Sequence, residues 1–139
     1  MDQALIDFFL KQIPFNRHLG MEAVALEPGR CVLRIPFRPE FVGDPLRPAL
    51  HGGVVSSLAD AAGGLAVFST FDSPDTGVST VDLRIDYLRP GKLEDLICEA
   101  RVVRVGNRVA VTTMTVHHGD PDYVAAEGRG VYNLFRFQN

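Results

Sequence analysis

His51, Gly52, Gly53 and Asp60 are the residues whose types and spacing best suit chemistry. The glycine pair follows a histidine and opens a long apolar run. The first N–H groups of a helix lack internal partners, and the positive end of its dipole lies there. Glycine at that point lets a ligand approach the backbone closely. Such a start suits an oxyanion or a polarised carbonyl. Asp60 is the only ionisable side chain between His51 and Asp72. A carboxylate among apolar residues is costly unless it is paired or faces a cavity, which makes Asp60 a candidate base or nucleophile. The same spacing also fits a narrow exposed stripe shared with Ser56, Ser57 and Gly64. Periodicity alone does not separate these readings.

Further candidates lie downstream. Residues 78–87 alternate as a strand, with Ser79, Val81, Leu83, Ile85 and Tyr87 expected on one face and Thr80, Asp82, Arg84 and Asp86 on the other. A hydroxyl from Ser79 or Thr80 could orient a water or a carboxylate, and plain β-propensity accounts for the pattern as well. Arg89 and Lys92 bracket the Pro90-Gly91 turn, and Arg108 follows Gly106-Asn107. Arg47 stands beside the glycine motif. Arginine suits bidentate phosphate contact, so these four cations are candidate ligand contacts or ordinary solvated turn charges. Ser56 and Ser57 read as packing hydroxyls. Leu65, Phe68, Phe71, Phe8 and Phe15 read as core or as an apolar pocket.

Several chemistries find no support. No GxSxG elbow is present. Cys31 and Cys98 stand far apart, no cysteine–histidine spacing suits a metal, and adjacent His117 and His118 point to opposite faces of a strand. Two reduced core thiols are the expectation. The net charge of −3 lacks the basic footprint of nucleic-acid binding. No run reaches the ~18 apolar residues of a membrane span, and no basic segment precedes an apolar one at the N-terminus. The chain therefore reads as soluble, unanchored and cytoplasmic.

The elements that must position these residues follow from periodicity and turn signals. At 139 residues, 46% hydrophobic and 22% charged, the chain reads as one domain, 1–139, with a real core. Residues 2–13 show helical spacing stopped by Pro14, and 14–19 read as a connector. Residues 21–26 and 31–37 flank Pro28-Gly29 as a hairpin. Residues 38–48 contain three prolines and a glycine and read as a loop. Residues 52–70 form a helix apolar all round, the mark of a buried one. After a polar loop at 72–77, strands are expected at 78–88, 93–104, 108–117 and 123–135. Short links imply antiparallel pairing. The expected class is α+β, with one helix on a face of an antiparallel sheet. One helix covers six strands poorly, so dimerisation is expected.

His51-Gly52-Gly53, an acid nine residues after the histidine, and Thr80-Val81-Asp82-Leu83-Arg84-Ile85-Asp86-Tyr87-Leu88-Arg89-Pro90-Gly91 together resemble the hotdog-fold thioesterases of the PaaI-like and Them2-like group. The resemblance spans roughly residues 21–135. It implies a long central helix wrapped by a curved antiparallel sheet of five to six strands, plus a short N-terminal helix. It implies hydrolysis of an acyl-CoA or aryl-CoA thioester, with no cofactor beyond the CoA of the substrate. Gly52 matches the glycine whose N–H polarises the thioester carbonyl. Asp60 matches the carboxylate acting as general base or nucleophile from the partner subunit of a homodimer, or of a dimer of dimers. Thr80 matches a hydroxyl that positions water, and His51 a histidine that holds the loop. Many relatives carry Asn or Gln about six residues before the histidine, where this chain has Pro45, so either another group orients the water or the rate or substrate differs. The alternatives are a hotdog hydratase, a thioesterase for acyl carrier protein, or a non-catalytic acyl-CoA-binding module.

Overall fold

A computed structural model describes residues 2–71 and 75–137. The long helix α3, Gly52–Phe68, lies against a six-stranded antiparallel sheet. The sheet strands are β1 (Glu22–Glu27), β2 (Arg30–Ile35), β5 (Thr76–Tyr87), β6 (Leu96–Val105), β7 (Val109–His117) and β8 (Val124–Arg136). Their order across the sheet is β1-β2-β6-β7-β8-β5, so β1 and β5 are the edges. The expected α+β architecture is present, helix against curved sheet.

Apolar residues around its whole circumference drive α3 inward. From Leu58 to Val67 every residue except Asp60 is buried. The helix packs on β2, β5, β6, β7 and β8. Leu58 and Leu65 are fully enclosed, so truncating either to alanine should cost roughly 2–5 kcal/mol. Leu65 therefore belongs to the core. Gly63 permits the close approach of helix and sheet, since a Cβ there would sit 2.2 Å from the Tyr132 hydroxyl oxygen. Cys31 and Cys98 are buried core thiols, and burial pushes the Cys31 thiol up to about 12 and raises Cys98 likewise.

Three expectations change. The N-terminal segment is two helices rather than one: α1, Gln3–Asp7, runs into a π-helical turn at Phe8–Gln12, and α2 follows at Pro14–Leu19. Pro14 ends the first helix and begins the second, because its fixed φ and missing N–H suit a first helical position. Ile13 before it is extended, as a residue preceding proline prefers. The proline-rich stretch 38–48 is also more ordered than a loop. A 3₁₀ turn, Pro39–Phe41, leads into β3 (Val42–Asp44), which pairs with β4 (Ala49–Leu50) as a separate small sheet. Much of the loop expected at 72–77 lies outside the described residues.

The third change concerns β5. The register against β8 shifts between Thr80 and Asp82, leaving Val81 as an extra residue. Such a bulge reverses which face each later side chain takes. Thr80 pairs with buried Tyr132, and Leu83 and Ile85 pair with Gly130 and Gly128. Val78 and Thr80 thus share the helix-facing side with Leu83, Ile85 and Tyr87. Strict alternation had separated Thr80 from those residues. Ser79 instead faces away from the helix and is exposed.

Candidate active site

The start of α3 is built by His51. Its backbone is extended (φ −61°, ψ 130°), and its Nδ1 accepts from the Gly53 N–H at 2.8 Å, capping the helix. An accepting Nδ1 leaves Nε2 as the protonated nitrogen of the neutral ring. The Gly53 N–H is therefore occupied. Among the described residues nothing accepts from the Gly52 N–H, so Gly52 carries the available donor.

Tyr87 is a site residue that sequence reasoning passed over. Its hydroxyl donates to the Gly52 carbonyl at 2.9 Å, and its ring would lie 3.2 Å from a Cβ on Gly52. Any side chain at Gly52 would press on that ring. The signal was alternation, which groups Tyr87 with the apolar Leu83 and Ile85 and so turns a phenol toward the helix. Gly52, Tyr87 and Arg89 share a cleft of about 280 Å³ with Leu50 and Pro90.

Asp60 lies further along α3 and is half-buried. Thr80 Oγ1 donates to its Oδ1 at 2.8 Å, and the Tyr132 hydroxyl donates to its backbone carbonyl at 3.0 Å. Burial first, and the Asp60 charge second, push the Tyr132 phenol well above its usual range, so it serves as a donor. With Oδ1 held by Thr80, Oδ2 is left to address a substrate or water. Asp60 is thus neither enclosed nor on an idle surface stripe, because it borders a second cleft, of about 860 Å³.

That cleft is aromatic. Seven of the nine phenylalanines line it, a lining that suits an apolar group. Phe8, Phe15, Phe68 and Phe71 are among them as anticipated. Phe135 and Phe137, packed edge to face with centroids 5.3 Å apart, were not anticipated. Ser57 also borders the cleft, its hydroxyl donating to the Gly53 carbonyl at 2.6 Å.

The cations separate. Arg89 and Lys92 come together on Tyr123, with the Arg89 Cζ 5.9 Å and the Lys92 Nζ 4.1 Å from the ring centroid. Arg89 also donates to the Val124 carbonyl at 2.9 Å. Arg108 sits in the β6–β7 turn, at the opposite end of the sheet from Arg89. Arg47 is exposed and pairs with Asp44 at 3.4 Å. Pro45 lies in the turn that Asp44 closes by accepting from the Leu46 and Arg47 N–H groups. Among the described residues no three His, Cys, Asp or Glu side chains converge as a metal site, and no helix is long and apolar enough to cross a membrane.

Gly52 and Asp60 lie eight residues apart on one helix, about 12 Å along its axis at ~1.5 Å per residue. They do not meet on one reacting carbon within a single chain.

Comparison with known proteins places the chain in a family. Residues 48–125 match the model of the thioesterase superfamily. The medium/long-chain acyl-CoA thioesterase YigI of Escherichia coli (strain K12) is 36% identical over 132 residues, covering 86% of this chain and 85% of that protein. A thioesterase family protein from Silicibacter pomeroyi superposes with a TM-score of 0.86 at 25% identity, covering 96% of this chain and 98% of the other. A Shewanella oneidensis protein related to the thioesterase superfamily gives 0.82 at 30% identity, covering 94% and 93%. The long helix and the six-stranded antiparallel sheet against it are those of the hotdog-fold thioesterases, and the chain belongs to the thioesterase superfamily.

Proposed function

We propose that the protein hydrolyses acyl-CoA thioesters at a site shared by two chains, Gly52 coming from one and Asp60 from the other. The observation that carries this reading is the pinning of both half-sites to one edge strand. Tyr87 ties Gly52 to the end of β5, and Thr80 ties Asp60 to the strand seven residues earlier. Among the described residues β5 is paired only with β8, so its other edge is open to an added strand. A second chain joined antiparallel along that edge runs its Thr80–Asp60 region toward the first chain's Tyr87–Gly52 region, and the reverse. A two-fold dimer thereby makes two sites.

In each site the Gly52 N–H donates to the thioester carbonyl oxygen. The partner subunit's Asp60, steadied by Thr80, acts through Oδ2. As a base it takes a proton from water, whose oxygen adds to the carbonyl carbon; as a nucleophile it adds itself, and water then cleaves the anhydride. On either route the oxyanion forms at the helix start, where one preorganised donor is worth ~3 kcal/mol. Collapse breaks the C–S bond and releases the CoA thiolate. The aromatic cleft beside Asp60 takes the acyl group, and Arg89 and Lys92 face the CoA phosphates. Thr80, held on Asp60, takes over the orienting role for which Pro45 has no donor. The reaction calls for no further cofactor, and a cytoplasmic location suits a substrate that carries CoA.

A thiol-release assay over acyl-CoA thioesters of increasing chain length tests the proposal. Hydrolysis is expected, rising from acetyl toward longer or aryl groups that fill the cleft. CoA binding without thiol release would instead establish a binding module.

A further inference from the structure

His117 and His118, adjacent where β7 ends, do separate work. The His117 Nδ1 accepts from the Gly119 N–H at 2.9 Å and closes its own turn. His118 reaches across to the link between β5 and β6, residues 88–95. Its Nε2 accepts from the Lys92 N–H at 3.0 Å, and its Nδ1 lies 3.0 Å from the Asp95 carbonyl oxygen. An N–H cannot donate to a protonated ring nitrogen. The proton of the neutral ring therefore sits on Nδ1 and is donated to Asp95. Both ring nitrogens are spent on the backbone of one loop.

That loop has no regular structure, so its backbone groups find partners on other elements. The Tyr123 hydroxyl donates to the Pro90 carbonyl at 2.7 Å, and the Leu50 N–H to the Gly91 carbonyl at 3.0 Å. Leu50 stands two residues before Gly52, so the loop is set against the start of α3. From Lys92 to Asp95 the ties to other elements, among the described residues, are the His118 ring and the Asp95 carboxylate, which accepts from the Phe37 N–H at 2.8 Å. The loop also carries Arg89 and Lys92, gathered over the Tyr123 ring. Neither forms an ion pair among the described residues. Two like charges held together tend to spread an unbraced loop. Cation–π attraction to the ring offsets part of that repulsion.

We propose that His118 is a positioning residue for substrate binding, whose Nδ1-protonated ring clamps the 88–95 loop so that Arg89 and Lys92 present one preformed cationic pocket to phosphate. The inference rests on the reading that these two cations face the CoA phosphates. His118 acts through the loop and touches no reacting atom. Bracing the loop in its binding conformation removes an ordering cost that association would otherwise meet. The effect falls on affinity for the phosphate-bearing part of the substrate, and the chemical step is indifferent to it.

The test titrates CoA into the intact protein by calorimetry and compares hydrolysis of a CoA thioester with that of the matching pantetheine thioester, which has no phosphate. His118→Ala is expected to weaken CoA binding about tenfold and to raise KM for the CoA ester with kcat steady. The pantetheine ester should be hydrolysed as by wild type. His118→Gln, whose amide supplies one acceptor and one donor, is expected to recover most of the CoA affinity. Ring-nitrogen NMR shifts of the wild-type protein are expected to report the Nδ1–H tautomer. An Nε2–H tautomer, equal losses on the two esters, or a glutamine no better than alanine would each overturn the clamp. So would unchanged CoA affinity in His118→Ala where Arg89→Ala loses it. Unchanged affinity in both variants would overturn the clamp together with the phosphate contact beneath it.

Discussion

The start of α3 borders a small cleft holding a free N–H, a tyrosine and an arginine; eight residues on, the same helix borders a wide aromatic cleft holding one carboxylate. In the proposed reaction the first region polarises and the second attacks and receives an apolar group. Each is well formed in one chain, with its own tether to β5. Neither contains what the other has. A helix of fixed rise keeps them apart, so a symmetric partner is the direct way to bring donor and base together. The small cleft needs close backbone approach at a glycine, whereas the large one needs volume and one oriented acid.

Substitutions at the two regions should break different parts of the reaction. Asp60→Asn removes the base or nucleophile while keeping the Thr80 bond, and should lower kcat at least ~100-fold. Steady-state thiol release checks this, and full activity would remove Asp60 from the chemistry. Gly52→Pro deletes the proposed oxyanion donor at a position where proline suits a helix start, after a His51 backbone already extended, and Gly52→Ala, which sets the same Cβ against the Tyr87 ring but keeps the N–H, is its control. The proline should lower kcat by about 10²-fold with circular dichroism unchanged; an unaltered kcat would assign the oxyanion elsewhere. Thr80→Val keeps strand shape and loses the hydroxyl on Asp60, for about a tenfold loss in kcat. Little change would leave Asp60 oriented by packing alone. Tyr87→Phe frees the Gly52 carbonyl and should lower kcat roughly threefold with KM steady; a rise in KM alone would place Tyr87 in substrate binding instead.

Legibility also differs between the two regions. The helix was readable because residues 52–70 are apolar on every side, and Asp60 stood out as the single ionisable group within it. Glycines after a histidine marked the helix start. Strands and turns of the sheet followed from alternation and from Gly and Pro signals. What the chain alone did not reveal depends on register. The Val81 bulge exists only against β8, and it decides that Thr80 and Tyr87 both face the helix. Phe135 and Phe137 reach the aromatic cleft from the far end of the chain, which local periodicity does not report. Arg108 is near Arg89 in sequence yet at the other end of the sheet, since one strand crossing separates them. Pro14 was a stop signal that also proved a start, and proline density hid the β3–β4 pair.

The shared site is tested most directly by mixing two inactive chains. Asp60→Asn and Gly52→Pro variants are unfolded together in equal amounts, refolded and assayed for thioester hydrolysis. A mixed dimer carries both defects in one site and none in the other. The account predicts recovery to about a quarter of wild-type activity, since half the dimers are mixed and each has one intact site. Activity no greater than that of the two variants refolded separately would contradict it, and would place the whole reaction within a single chain.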